Sequence, residues 1–425
     1  MDLCIIADDL TGANDSGVQC TEYGYKPWVA LDMASVDKLI DNEALVINTD
    51  SRNLLASEAY DRVKMALNSV IDVSPQLVYK KLDSTLRGNI GAELDAVYEV
   101  VNPDFVVVTS AYPKNGRTIS KGELFVHGTK LTDTSISPYP GVDFLSSRPI
   151  DIIHEQSQYS VSHLSQESIR SENLSELMQS LHGQGVAYLS IDAETEGELE
   201  QQIKLLSGTP FNLAWAGSAG VAQYLHHIIS IEEKNKGGEN LTYEEFSSAL
   251  FVIGSRSEVS VQQRDSLINE VDVKAIKVDP LKLLIEERGG ELYEWVRDSL
   301  SLYTALYLDV SEESIERVAS YQKQYQVSAE KIAEYIAEEI GALVGYIYEY
   351  QSYEALVMTG GDMAKSVCHH LGTTAFELYY EFETGIPLGV LRGEYEPVAI
   401  TKAGAFGHKE TFVRLLRYLK GEEDK

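Results

Sequence analysis

Cysteine is nearly missing from this chain: Cys4, Cys20 and Cys368 are the only three in 425 residues. They form no CxxC pair and have no histidine at metal-ligand spacing, which excludes a disulfide framework and a thiolate zinc site. They read instead as small buried hydrophobes of a reducing compartment. Long hydrophobic runs are missing as well. No uncharged apolar stretch reaches the roughly 18 residues that a membrane helix needs. Met1-Asp2-Leu3-Cys4 carries neither the basic nor the apolar region of a signal peptide. A cytoplasmic protein with no membrane partner is therefore expected. Positive charge is scarce, with 35 Lys and Arg against 66 Asp and Glu and a net charge of −31 at pH 7. Such a surface repels nucleic-acid phosphates and anionic lipid, so nucleic acid is excluded as a partner. It repels ATP and organic acids equally. A site for either must gather its few cations locally, and basic residues near strand ends become informative.

Familiar phosphate signatures are also lacking. Neither GxxxxGK[ST] nor GxGxxG occurs, so the chain has no Walker A loop and no dinucleotide fingerprint. An aspartyl phosphatase would show DxDxT, but Leu10 stands where the second aspartate belongs.

What is present is a globular composition, 44% hydrophobic and 24% charged, which rules out a disordered chain. Leu3 to Ile6, Trp28 to Leu31, Leu45 to Ile47, Leu77 to Tyr79 and Phe105 to Val108 are short continuous apolar runs. They lack polar alternation, as strands covered on both faces do. Helical patterns such as Ser57–Ile71 and Gly91–Val101 separate them. Leu124 to Thr129 reads as a hairpin insertion, and further strands are predicted at Val186–Ile191 and Phe211–Ala216. A second series runs through Leu250–Ile253, Thr304–Val310, Ala355–Met358 and Val398–Thr401. It includes a helix with Ile332, Ile336, Ile340, Leu343 and Ile347 on one face. Between the series, residues 232–246 are polar and carry a Gly-Gly pair. The pattern predicts two α/β domains with mostly parallel sheets, 1–231 and 247–425, joined by that linker. No internal repeat is visible.

Ligands of open α/β sheets bind beyond the carboxyl ends of the strands. The first strand ends at Asp8-Asp9-Leu10-Thr11-Gly12-Ala13. On its own that run suggests a phosphatase nucleophile, which Leu10 weakens, a metal site or a helix cap. Capping needs one Asp or Thr, and more than one is here. The third strand ends at Asn48-Thr49-Asp50-Ser51-Arg52 and the fourth at Lys80-Lys81-Leu82-Asp83-Ser84-Thr85-Leu86-Arg87-Gly88-Asn89. The fifth ends in the basic turn Tyr112-Pro113-Lys114-Asn115-Gly116-Arg117-Thr118. Arg and Lys hold carboxylates while Asp and Ser bond hydroxyls, so these ends together point to a polyhydroxy acid. The second domain's strand ends are rich in glycine: Gly254-Ser255-Arg256-Ser257, Thr359-Gly360-Gly361-Asp362 and Lys402-Ala403-Gly404-Ala405-Phe406-Gly407. Glycine turns admit phosphate to backbone amides, and Arg256 and Lys402 beside them predict a nucleotide phosphate cradle.

With these blocks in order, the chain resembles the four-carbon acid sugar kinases over nearly its whole length. ADDLTGANDSGVQ (7–19), KKLDSTLRGN (80–89), YPKNGRT (112–118), GSRS (254–257), TGGD (359–362), GIPLG (385–389) and KAGAFG (402–407) carry the resemblance. It implies an N-terminal acid-sugar domain and a C-terminal ATP domain. It also implies transfer of the γ-phosphate to the terminal hydroxyl of threonate, erythronate or a 3-oxo-tetronate. Substrate residues would be Asp9, Arg52 and Lys81-Leu82-Asp83-Ser84, with Arg87 in the same basic run. ATP would meet Ser255, Gly360-Gly361 and Gly404-Ala405-Phe406-Gly407. Met363, Ala405 and Thr384 depart from residues common in the family. None of these departures removes a charge.

On this reading the substrate carboxylate meets Arg52 or Lys81, and Asp9 and Asp83 bond its hydroxyls. Mg²⁺ and loop amides hold the triphosphate, with the metal's protein ligands left open. Asp362 is the expected proton acceptor, with Asp8 or Asp9 next; the bland role for Asp362 is an N-cap. Two domains holding one reactant each would close to join them. A metal-dependent lyase or aldolase using Asp8, Asp9 and Asp83, or a sugar-acid sensor without catalysis, are the competing readings. Assembly into a homo-oligomer stays open.

Overall fold

The computed structural model describes residues 1–138, 142–229, 245–286 and 288–422. The chain divides into two compact units, Met1–Gly238 and Glu239–Lys425. Apart from Glu245 and Phe246, the expected linker 232–246 lies outside the described residues.

In the first unit the strands are β1 (Leu3–Ala7), β2 (Trp28–Ala30), β3 (Ala44–Asn48), β4 (Leu77–Lys81) and β5 (Phe105–Thr109). They are followed by β6 (Arg117–Ser120), β7 (Glu123–Val126), β8 (Thr129–Lys130), β9 (Ser160–Leu164), β10 (Val186–Ile191) and β11 (Leu213–Gly217). The main sheet has the order β2-β3-β1-β4-β11-β5-β10-β9. Its pairs are parallel. Every residue of β1, β3, β4 and β5 is buried. That is why those strands read as unbroken apolar runs: each lies between covered faces. β6, β7 and β8 form a separate antiparallel meander where one hairpin was expected. It joins the body through bridges Tyr112↔Arg117 and Ile119↔Ala193.

The chain leaves β1 for β2 and β3 on one side and returns to β4 on the other. β1 is thus the topological switch point, where diverging connections leave a crevice at the carboxyl end. The register aligns Ala7 with both Asn48 and Lys81, so the loops that follow β1, β3 and β4 begin at one level.

The second unit holds β12 (Ala249–Ile253), β13 (Lys274–Val278), β14 (Tyr303–Leu308), β15 (Ala355–Thr359), β16 (Thr373–Glu383), β17 (Ile386–Gly393) and β18 (Val398–Lys402). Their order is β13-β14-β12-β15-β18-β17-β16. β12, β15 and β18 are parallel neighbours, with Ile253 opposite Thr359 and Thr359 opposite Lys402. The three glycine-bearing loops therefore leave the sheet side by side. β17 runs antiparallel to β16 and β18, so the expected mostly parallel α/β class holds with one antiparallel edge. Phe251, Val357, Leu388, Ile400, Phe412 and Leu416 belong to one buried core. Among the described residues no helix is long and apolar enough to cross a membrane.

The helices Ala329–Tyr350 and Gly361–His370 pack at very short range. A Cβ on Gly341 would stand 2.8 Å from the backbone carbonyl of Ser366. Helix propensity favours alanine over glycine by about 1 kcal/mol. The clash is with backbone, so overpacking should outweigh that gain. Gly341→Ala is expected to lower stability by about 1–3 kcal/mol. A urea midpoint at or above that of the parent chain would show that the helices separate at little cost.

Candidate active site

Asp8 and Asp9 follow β1 directly. Asp9 has extended backbone and caps the helix α1 (Leu10–Gln19), its Oδ1 accepting the Gly12 N–H at 2.8 Å. A Cβ on Gly12 would lie 2.6 Å from Asp9 Oδ1 and 2.9 Å from Lys81 Nζ, so a side chain there would displace the Asp9 cap or Lys81. Capping is thus one of two tasks for Asp9; the other is Arg52.

Arg52, after β3, turns its guanidinium onto the β1 end. Nε and Nη2 hold Asp8 in a fork at 2.7 and 3.0 Å, and Nη1 meets Asp9 Oδ2 at 2.5 Å. Asp83, after β4, lies 3.6 Å from Nη2. Asp83 is itself gripped by Arg87, whose Nε and Nη2 donate at 3.0 and 2.8 Å. It also accepts from the Thr85 N–H at 3.0 Å and from the Thr85 hydroxyl. Burial opposes ionisation of Asp83, but Arg87 and Arg52 outweigh it and hold its carboxyl well below the ordinary range. Burial likewise opposes charge on Asp8, and Arg52 and Lys80 keep its carboxyl below the usual value.

One layer deeper, Lys80 Nζ and Glu93 Oε2 pair at 2.7 Å, both essentially without solvent. Ser51 Oγ donates to Glu93 Oε1 at 2.5 Å, tying the β3 loop to the helix α2 (Ile90–Val101). Adjacent strand residues point to opposite faces, so Lys80 and Lys81 have separate surroundings. Lys81 Nζ donates to the Leu82 carbonyl at 2.7 Å beside Gly12. The Leu82 N–H bonds the Gly217 carbonyl at 2.7 Å, and Ser84 is half-buried in the same loop.

In the second unit the loops after β12, β15 and β18 are laced together. The Ser255 N–H donates to Thr359 Oγ1 at 3.3 Å, and the Gly360 N–H to the Lys402 carbonyl at 3.1 Å. Ser257 and Ser260 hydroxyls both bond the Gly404 carbonyl, at 2.6 and 2.9 Å. Gly360 has φ of +96° and caps the helix α3 (Gly361–His370) without a side chain. The first amides of that helix are therefore not taken by a capping side chain, which is what an anion needs. Asp362 stands exposed in the first helical turn and is not the N-cap. Arg256 and Ala405 are exposed, while Phe406 and Gly407 are half-buried.

Two family models match the chain, a sugar-binding N-terminal domain over residues 3–225 and a nucleotide-binding C-terminal domain over residues 250–412. The chain belongs to the four-carbon acid sugar kinase family. It is 29% identical to a D-threonate kinase of Salmonella typhimurium, with 99% of each chain covered. A D-erythronate kinase of Heliobacterium modesticaldum is 29% identical, covering 98% of this chain and 96% of that one. A 3-oxo-tetronate kinase of Pseudomonas fluorescens is 26% identical, again covering 98% and 96%. In fold the chain is similar to a solved Salmonella typhimurium protein, with a TM-score of 0.78 at 24% identity and 98% and 99% coverage. It is also similar to a Haemophilus influenzae protein, with a TM-score of 0.73, 23% identity and the same coverage.

The first-unit residues expected in the site, Asp8, Asp9, Arg52, Lys81, Leu82, Asp83, Ser84 and Arg87, occupy one cluster of three loops. Their pairings differ from the expected ones. Arg52 or Lys81 is expected to receive the substrate carboxylate; in the structure the Arg52 fork holds Asp8 and its remaining edge Asp9. Asp8 was expected as a second choice of proton acceptor, but burial behind Arg52 and its lowered proton affinity suit it to anchoring that arginine. Lys402 was expected to face phosphate. It is instead enclosed, donating to the carbonyls of Ala403, Gly404 and Phe406 at 2.9, 3.1 and 3.0 Å and to Ser260 Oγ at 3.3 Å. Burial lowers its ammonium to about 8. Binding those carbonyls draws them inward, so Lys402 shapes the loop from behind.

The buried pair Lys80–Glu93 was missed, as was its partner Ser51. The sequence signal was Glu93, a charge flanked by Ile90, Gly91, Ala92 and Leu94 at the start of α2. Removing one member of a buried pair leaves the other uncompensated, at about 3–5 kcal/mol. Glu93→Gln keeps the shape and should lose about that much stability in urea titrations; a loss of only a few tenths would mean that water reaches Lys80. The carboxyls of Asp8 and Asp83 titrate below their unfolded values of about 4. Their stabilisation is therefore complete above roughly pH 5 and is lost as pH falls below about 4. Unfolding followed across pH 3–7 should show that loss, reduced in Asp83→Asn; an identical slope in that variant would remove Asp83 from the linkage.

Proposed function

We propose that this chain transfers the γ-phosphoryl group of ATP to the terminal hydroxyl of a four-carbon sugar acid. The reading rests chiefly on one conjunction. A cation-rich strand-end cluster lies in the unit matched by the sugar-binding model, and laced glycine loops lie in the unit matched by the nucleotide-binding model. Kinases of threonate, erythronate and 3-oxo-tetronate cover nearly the full length of this chain at closely similar identity. That supports a four-carbon acid as the substrate class without favouring one member.

In this scheme Lys81 neutralises the substrate, and Asp9, Asp83 and Ser84 orient its hydroxyls, with the Leu82 backbone shaping the pocket. Arg52 and Arg87 fix those carboxylates in place. Phosphoryl transfer depends on positioning and charge neutralisation more than on covalent chemistry, which fits a site built from fixed charges. Ser255, Arg256, Gly360, Gly361 and the stretch Gly404-Ala405-Phe406-Gly407 receive the nucleotide phosphates. Among the described residues no group of three His, Cys, Asp or Glu could hold a metal. Mg²⁺ bound with nucleotide phosphates takes only one or two protein carboxylates. Mg²⁺ would neutralise the charge on the phosphates. Asp362 remains the preferred acceptor of the hydroxyl proton. The three cysteines are buried, and burial pushes each thiol up to about 12, as befits inert residues of a cytoplasmic enzyme.

ADP release measured with a panel of four-carbon acids tests the activity. Release with at least one of them is expected; binding of an acid with no release would favour a sensor, and conversion of the acid without ATP a lyase. Asp362→Asn should lower the turnover number roughly 10²–10⁴-fold. Turnover near that of the parent chain would remove Asp362 from proton transfer.

A further inference from the structure

Three arginines serve the carboxyl end of the first unit's sheet. Arg52 holds Asp8 with its Nε and Nη2 edge, and Arg87 holds Asp83 with the same edge. This is the fork that matches a carboxylate in two parallel hydrogen bonds. The third is Arg117, at the start of β6 and bridged to Tyr112 beyond the β5 end. Its Nη1 is turned the other way, toward the Asn115 carbonyl, Asn115 Oδ1 at 3.2 Å and His127 Nε2 at 3.3 Å. Its Nε is enclosed and bonds no acceptor, whereas Nη2 is not among the enclosed atoms and takes part in none of the guanidinium's hydrogen bonds among the described residues. No carboxylate there stands within ion-pair distance of it, although the charges of Asp83, Arg87 and Asp15 reach it. A half-buried guanidinium in a chain of net charge −31 whose Nη2 holds no carboxylate is an exception among its neighbours.

We propose that Arg117 is the specificity-determining residue for the acid: its Nη2 receives the substrate carboxylate. The inference deepens the kinase reading and rests on it for the identity of the ligand. It moves carboxylate recognition from Arg52, whose fork is filled from within the protein, to the loop after β5. It also gives the meander β6–β8 a task. Gly116, at φ of +70°, sits so close to the His127 ring that the turn is held tightly where Arg117 leaves it. The preference so created is for a carboxylate over a neutral group at the same end of the substrate.

The test compares the affinity of a four-carbon acid with that of its neutral amide, both measured by calorimetry on the full chain. Arg117→Gln should weaken the acid about 10–100-fold, the worth of a charged hydrogen-bonded contact, while changing the amide by less than about threefold. Arg117→Lys keeps the charge without the planar guanidinium and should fall between. An unchanged acid affinity in Arg117→Gln overturns the proposal. So does an equal loss for acid and amide in both variants, which marks Arg117 as a support of the hairpin only. If Arg117→Gln fails to fold, Arg117→Lys decides, since a ratio of acid to amide equal to that of the parent chain overturns the proposal. ADP release is scored separately on the parent chain. Binding without release ends the kinase reading and leaves the Arg117 comparison valid, and no binding of any four-carbon acid overturns both.

Discussion

Arg52 stands where the loops after β1, β3 and β4 converge, and its guanidinium meets Asp8, Asp9 and Asp83 within one cluster. A charge that is nearly enclosed is costly unless its donors are matched. The three carboxylates supply that match, so each loop is fixed by a bond to a group on another. Asp9 extends the arrangement into α1 through its cap, and Asp83 extends it to Arg87. Below this layer, Lys80 and Glu93 repeat the solution out of reach of water, with Ser51 joining the two levels. The strand ends therefore owe their geometry to ion pairs that no ligand has to form. A pocket wall assembled in advance costs little reorganisation when substrate arrives.

The second unit reaches a comparable end with a different device. Lys402 has no carboxylate fork; its ammonium gathers the carbonyls of Ala403, Gly404 and Phe406. A peptide whose carbonyl is drawn inward presents its amide outward, which is the orientation an anion requires. Burial lowers the Lys402 ammonium toward neutrality, so the loop's grip depends on oxygens closing around it. One unit uses cations to immobilise acids and the other uses a cation to immobilise backbone. Both leave the surface that meets a ligand to groups already held.

Much of this was legible before any coordinates. Continuous apolar runs marked β1, β3, β4, β5, β12, β15 and β18 because strands buried on both faces have no polar alternation. The edge strands β9 and β13 escaped for the converse reason, since their solvent-facing residues interrupt the apolar pattern. β16 and β17 were also missed, because Tyr379, Tyr380 and Glu381 dilute the run and Gly385 closes a turn that resembles a loop. The reactive loops could be placed because a strand end is a local feature. Their pairings could not, because which carboxylate faces which guanidinium is decided by strand order. Arg52 is 44 residues from Asp8 in sequence, and only the switch at β1 brings them together. Lys402 misled for a related reason: a lysine beside glycines looks the same whether its ammonium points at phosphate or at its own loop.

The glycine blocks of the second unit show why spacing along the chain carried so much information. The side chain of Met363 fills the place where a Cβ of Gly254 would lie, and the Ser255 hydroxyl does the same for Gly404. The Phe406 ring covers Gly385, and Gln263 donates to the Phe406 and His408 carbonyls at 3.1 and 2.9 Å. Four blocks separated by long stretches of chain are thus parts of one packed turn. A substitution in any of them must be absorbed by the others. Met363 and Ala405, two of the three departures from residues common in the family, illustrate two outcomes of that rule. Met363 is buried against Gly254, so its bulk is accommodated by a glycine in a different block. Ala405 is exposed, so its methyl group meets solvent and the lacing around Gly404 is unaffected. Tolerance at each position follows from which neighbour fills the space beside it, and that neighbour is set by the parallel order of β12, β15 and β18.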